Sequence, residues 1–120
     1  IKLGLLPATH PDLASTSDNI GSVYQKMGDY QTALSFYRKA LHLREQSLPE
    51  NHPSLASTFN NMGLVYSNIG DYSNALSHYQ RTLNIQEKTL PANHPDLSIT
   101  YNNTGLLYDQ MGDYPKALAY

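Results

Sequence analysis

Between Leu13 and Leu48 the apolar positions form two helical series separated by one turn signal. Residues three and four apart share a face of a helix. By that rule Leu13, Ile20, Tyr24 and Met27 make one apolar stripe, and Tyr30, Ala33, Leu34, Tyr37 and Leu41 make another. The first predicted helix opens at Pro11, where a fixed φ suits the first helical position and the missing N–H costs nothing. It runs to Gly28, which can take the left-handed conformation that ends a helix, and Asp29 can then cap the next one. Small residues at Gly21 and Ala33 would let the two helices approach closely. Pro49 stops the second helix after Leu48.

This pattern returns every 42 residues. His10-Pro11 recurs as His52-Pro53 and His94-Pro95, and Gly28-Asp29-Tyr30 as Gly70-Asp71-Tyr72 and Gly112-Asp113-Tyr114. Asn19, Gly21 and Tyr24 come back as Asn61, Gly63 and Tyr66, and again as Asn103, Gly105 and Tyr108. The frame divides the chain into 1–9, read as the tail of an earlier unit's second helix, and units at 10–51, 52–93 and 94–120. The third unit stops inside its second helix, so both ends are expected to expose apolar cross-sections through which chains could associate end to end.

The pattern Gly21, Tyr24, Gly28, Ala33, Tyr37, Ala40 resembles the tetratricopeptide repeat, over essentially the whole chain. The lengthened unit, with its His-Pro loop, Asn-Asn pair and "LREQSL" segment, is similar to the kinesin light chain type. It departs from that type at Pro7, Pro49 and Pro91, where Gly would be expected. The resemblance implies an all-α fold: a right-handed α-solenoid of antiparallel helix pairs, whose first helices line a concave surface.

Within the predicted first helices, asparagine stands where helix propensity disfavours it, because its amide competes for backbone hydrogen bonds. Helical spacing groups Asn61 with Ser57, Leu64 and Asn68, Asn19 with Ser15, Ser22 and Lys26, and Asn103 with Ile99, Leu106 and Gln110. Asn60 and Asn102 flank these sets, and Asp18 takes that place in the first unit. An amide that both donates and accepts can hold the backbone of an extended peptide whatever its sequence. The family resemblance implies the same, since the position of Asn19, Asn61 and Asn103 is a recurrent ligand contact. The alternative is that these amides bond neighbouring helices or the preceding turn. Relatives that clamp acidic C-termini use Lys and Arg, whereas here Asp18 and Asn103 fill such places and Lys26 is the one base in the set. A peptide of mixed polar and apolar character suits the surface better.

Composition narrows the field further. A net charge of -2 with 15% charged residues leaves no basic stripe for nucleic acid or an anionic membrane. No apolar run reaches the roughly 18 residues that span a bilayer, and residues 1–9 do not read as a signal peptide. With no cysteine there are no disulfides or thiolate metal sites, and cytoplasm is the expected compartment. His10, His52 and His94 lie in successive units about 8 to 10 Å or more apart, too far to share an ion, and are read as loop-packing residues beside Pro. The ten tyrosines fall at core spacing. Asn102-Asn103-Thr104 matches a glycosylation sequon in mid-helix, where modification is not expected. Thr104 takes a buried register held by Ile20 and Met62, and its hydroxyl should bond the carbonyl one turn back. No recurring Ser, His and carboxylate set or Gly-rich phosphate loop marks a catalytic site, and no cofactor is expected. The expected function is a protein or peptide-binding module of the kinesin light chain-like cargo or adaptor type. A self-associating spacer and the recruitment or regulatory arm of a larger enzyme are the alternatives.

Overall fold

The computed structural model describes residues 11–113. Five helices follow one another: α1 (Pro11–Lys26), α2 (Tyr30–Ser47), α3 (Pro53–Ile69), α4 (Tyr72–Thr89) and α5 (Pro95–Gln110). The described residues contain no strand. The chain divides between Glu50 and Asn51 into two compact units, one built on α1 and α2 and the other on α3, α4 and α5. The expected helix tail at 1–9, His10 and the third unit's second helix lie outside the described residues.

The helix boundaries follow from a few side chains. Proline at the first helical position of α3 and α5 has no N–H, so the next residue's N–H is the first that needs an acceptor. His52 supplies it through Nδ1 to Ser54 N–H, and His94 does the same for Asp96 N–H, each at 3.1 Å. These histidines are therefore helix caps, a more specific role than loop packing. At the other end, Gly28, Gly70 and Gly112 adopt φ of 85°, 91° and 81°. The N–H of the following Asp then reaches back to Tyr24, Tyr66 and Tyr108 carbonyls, each at 2.9 Å. Asp29 and Asp71 next turn their carboxylates to the N–H groups of Thr32 and Asn74, both at 3.3 Å, and start the following helix. Leu48 and Leu90 are extended, as the residue before proline must be, and end α2 and α4.

In the first unit Ala14, Ala33, Leu34, Tyr37, Ala40 and Leu43 are buried. The Tyr37 ring lies against Gly21, where an added Cβ would stand 2.9 Å from Cε1. Tyr24 and Phe36 stack with ring centroids 5.8 Å apart. The second unit repeats the arrangement with Tyr79 on Gly63, and α5 packs on α4 through Leu107, which joins Ala75 and Tyr79 in one core cluster. Buried threonines fill the narrow places. Thr58, Thr82, Thr100 and Thr104 each donate a hydroxyl to the carbonyl four residues back, at 2.8 to 3.1 Å, so none of these four hydroxyls is stranded. Thr104 behaves as its register predicts.

The first predicted stripe needs correction. Met27 lies just beyond the end of α1 and Ile20 is surface-exposed, while Ala14, Ser17 and Gly21 occupy the buried face. Small residues mark that face because α2 lies close against it, and a search for large apolar side chains passes over them.

Candidate functional site

On the second unit, α3 and α5 carry the amides singled out from sequence. Asn61 and Asn103 are partly exposed, and Asn68, Asn102 and Gln110 are exposed. Ile99 and Leu106 stand one turn on either side of Asn103, Leu106 with 58% of its surface open. Ser67 Oγ donates to Gln110 Oε1 at 3.4 Å, so the C-terminal ends of the two first-type helices lie side by side. Sequence reasoning passed over Ser67, whose place beside α5 is not encoded in local spacing. Leu64 is less available than expected, because it packs against the Ala75, Tyr79 and Leu107 cluster. Asn60 has a buried Oδ1 without a hydrogen-bond partner. On α1, Asn19 and Lys26 are exposed, whereas Ser22 is partly buried and hydrogen-bonds Tyr37.

The register of Asn60 is explained by the first unit. There Asp18 pairs with Arg44 of α2, both largely shielded from solvent, so this position turns to the second helix of its own unit. Burial outweighs the hydrogen bond and charge of Arg44 and raises the Asp18 pKa above the ordinary carboxylate value, with Oδ1 left unpartnered. Burial also raises the Tyr37 hydroxyl, with the Asp18 charge adding to it, and pushes Tyr79 up to about 12. Tyr37 Oη donates to Gln25 Oε1 at 2.8 Å.

A second group of polar side chains lies between α4 and α5. Gln86 Oε1 and Thr100 Oγ1 are 2.7 Å apart, and Tyr101 Oη donates to Glu87 Oε2 at 2.6 Å. Thr100 has one hydroxyl proton and two acceptors within reach. Turning the Gln86 amide over lets its Nε2 donate to Thr100 while the hydroxyl keeps the Asp96 carbonyl. Beside this pair an open cavity of about 290 Å³ is lined by Glu87, Leu90, Ala92, Leu97 and Tyr101. Elsewhere His78 lies between Tyr66 and Phe59, with centroids 5.1 and 6.1 Å away, and Arg81 covers the Phe59 ring at 5.4 Å. Among the described residues no three His, Cys, Asp or Glu side chains gather as a metal site, and no helix is long and apolar enough to cross a membrane.

Antiparallel helix pairs joined by Gly-Asp-Tyr turns, recurring at 42 residues, define a helical-repeat protein of the α-solenoid class. The tetratricopeptide repeat profile matches residues 12–88 and 54–120, and the chain belongs to that family. Solved structures agree on the fold. BtubC (BKLC) from P. vanneervenii superposes with a TM-score of 0.87 at 26% identity, over 93% of this chain and 45% of that one. A candidate kinesin light chain from Podosopora anserina, built of nearly identical TPR-like repeats, gives 0.87 at 21% identity, over 98% and 56%. The N-terminal domain of stress-induced protein-1 from C. elegans gives 0.73 at 19%, over 91% and 79%. The chain thus spans about half the length of the first two structures. No curated protein matches it in sequence. Tetratricopeptide repeats are non-enzymatic modules that mediate protein–protein interaction.

Proposed function

We propose that the chain is a protein-interaction module of the kinesin light chain-like type, acting in the cytoplasm, which takes an extended peptide across the exposed sides of α3 and α5. Asn61 and Asn103 hold the peptide backbone, and Leu106 with Ile99 receives an apolar side chain of the ligand. Asn68, Asn102 and Gln110 supply polar contacts at the margins. Asn19, Ser22 and Lys26 form the corresponding set on α1. No reaction and no cofactor are assigned.

One observation carries the reading. Asn103 is an accessible amide between two exposed apolar side chains on α5, a combination with no purpose in holding α5 to α4. Affinity would come from several modest contacts on a surface already built, so the ordering cost falls on the incoming peptide alone. Selection of random extended peptides on the immobilised chain tests this. Asn61→Ala and Asn103→Ala should each abolish capture of the selected peptides while melting temperature stays unchanged. Unaltered capture, or lowered melting with intact capture, would assign the amides to the helix stack.

A further inference from the structure

The cavity between α4 and α5 lies apart from the peptide surface proposed above. Leu97 and Tyr101, one turn apart on α5, form one wall of it. Asn103 follows Tyr101 by two residues, about 200° further round the helix, so the amide and the cavity stand on nearly opposite sides of α5. Glu87 in the last turn of α4, with Leu90 and Ala92 in the connection to α5, completes the lining. Three apolar side chains, one aromatic ring and one carboxylate thus border about 290 Å³. Glu87 is exposed and accepts from the Tyr101 hydroxyl through Oε2 at 2.6 Å, which fixes the carboxylate beside the ring and leaves Oε1 to a ligand. Among the described residues no basic side chain lines the cavity. Arg81 lies over Phe59, and Lys88 follows Glu87 about 100° further round α4. Phe59, at the register of Tyr101 one period earlier, has no hydroxyl and is buried beneath Arg81, so the site belongs to α4 and α5 and not to the repeat as such.

We propose that this cavity receives a lysine side chain from a partner protein. The aliphatic stem lies against Leu90, Ala92 and Leu97, and the ammonium reaches Glu87 Oε1 beside the Tyr101 ring. Each part of the lining has its counterpart in that side chain: apolar walls cover methylenes, the carboxylate supplies the opposite charge, and the ring attracts a cation. Size limits the occupant. Pockets for drug-sized ligands run from roughly 300 to 1,000 Å³, so this one matches a single side chain better than a nucleotide or a flat cofactor. Glu87 repels anions, and a hard metal ion needs more oxygen donors than one carboxylate supplies. A guanidinium engages a carboxylate side-on through both oxygens and would compete with Tyr101 for Oε2. An ammonium is a point donor that needs Oε1 alone, and lysine is preferred to arginine on that ground.

A capped tripeptide with lysine at its centre, titrated into the whole chain and followed by backbone amide NMR, tests this. It should give saturable shifts at Ala92 and Leu97 in the millimolar range, weakening as salt is added. The same tripeptide with norleucine for lysine should bind about fivefold more weakly, the share of an exposed charge pair, and the arginine version should fall below lysine. Glu87→Gln, at an exposed position, should leave the melting temperature unchanged and reduce the lysine peptide to the level of the norleucine peptide. Ala92→Phe, in the exposed connection, should fill the cavity and abolish the shift at Leu97. Absence of saturable shifts, equal affinity for the lysine and norleucine peptides, or undiminished binding by Ala92→Phe would overturn the proposal. Binding of n-pentylammonium about tenfold tighter than the lysine peptide would also overturn it, by giving the cavity to a free amine.

Discussion

Replacing Gly63 by Ala tests how the helix pairs are held. In an exposed helix the change is favourable by about 1 kcal/mol, because glycine loses more backbone freedom than alanine. Here the new Cβ would stand 2.7 and 2.8 Å from Tyr79 Cε1 and Cδ1. Comfortable carbon contacts are roughly 3.5 to 4.0 Å, so the ring must withdraw by about 0.7 Å or more. Tyr79 is buried, with Ala75 and Leu107 packed beside it, and has no open space to enter. Overpacking of this kind costs about 1 to 3 kcal/mol. The larger penalty should outweigh the propensity gain and leave Gly63→Ala less stable by about 1 kcal/mol, a fall of roughly 4 °C in melting temperature. Thermal and urea unfolding followed by circular dichroism measures this directly. The cycle is completed in a Tyr79→Leu background, where the ring is gone and Gly63→Ala should stabilise by about 1 kcal/mol. A stabilising Gly63→Ala in the otherwise unchanged chain would refute the close approach of ring and backbone. Gly21→Ala, with its Cβ 2.9 Å from Tyr37 Cε1, should behave in the same direction.

Three further outcomes follow from the polar contacts. Arg44→Gln alone leaves the Asp18 carboxylate shielded and unpaired, and should cost about 2 kcal/mol in urea unfolding near pH 7, reduced from the fully buried case by the residual exposure of the pair. The double change Asp18→Asn with Arg44→Gln, which copies Asn60 and Gln86, should restore stability to within about 1 kcal/mol of the starting chain. Because the Tyr79 pKa is raised from 10 to about 12, its contribution to stability is complete below pH 10 and falls as pH rises towards 12; melting temperature followed over that range should fall less in Tyr79→Phe. His94→Ala removes the acceptor for Asp96 N–H and should cost about 1 kcal/mol in thermal unfolding, whereas His94→Asp should keep the cap and stay close to the parent.

Much of the fold was legible because the determinants are local. Proline at helix starts, left-handed glycine at helix ends and aspartate between them act through contacts within about five residues, and a period of 42 shows each of them more than once. The second-helix stripe was legible for the same reason, since Ala33, Leu34 and Tyr37 are large or invariant enough in pattern to reveal the buried face. The first-helix stripe was harder to read because its buried face is made of Ala14, Ser17 and Gly21, which carry little hydrophobic signal. Their selection is steric: Tyr37 requires a helix without a side chain at Gly21. The candidate site was legible in part. Helical spacing separates Asn61 from the core face, but it cannot tell that the neighbouring register turns towards the second helix, as Asp18 does in meeting Arg44.

That neighbouring register shows how units of one repeat acquire different chemistry without changing their backbone. At one position the first unit places Asp18 opposite Arg44, and the second has Asn60 and Gln86 at the same two registers. Both members change together, which is what the cost of an unpaired shielded charge demands. The exchange has a second consequence. Freed from a carboxylate, the amide of Gln86 reaches α5 and meets Thr100, so a side chain at the register of an intra-unit pair becomes a contact with the next first-type helix. Within the second unit, the neutral pair thus leaves the α4 side chain free to bond the α5 threonine, where a carboxylate partner would hold it to its own unit. Asp18→Asn should therefore be better tolerated than Arg44→Gln, because burial already disfavours the ionised Asp18 and removing it leaves a cation that can turn towards solvent along its own flexible stem.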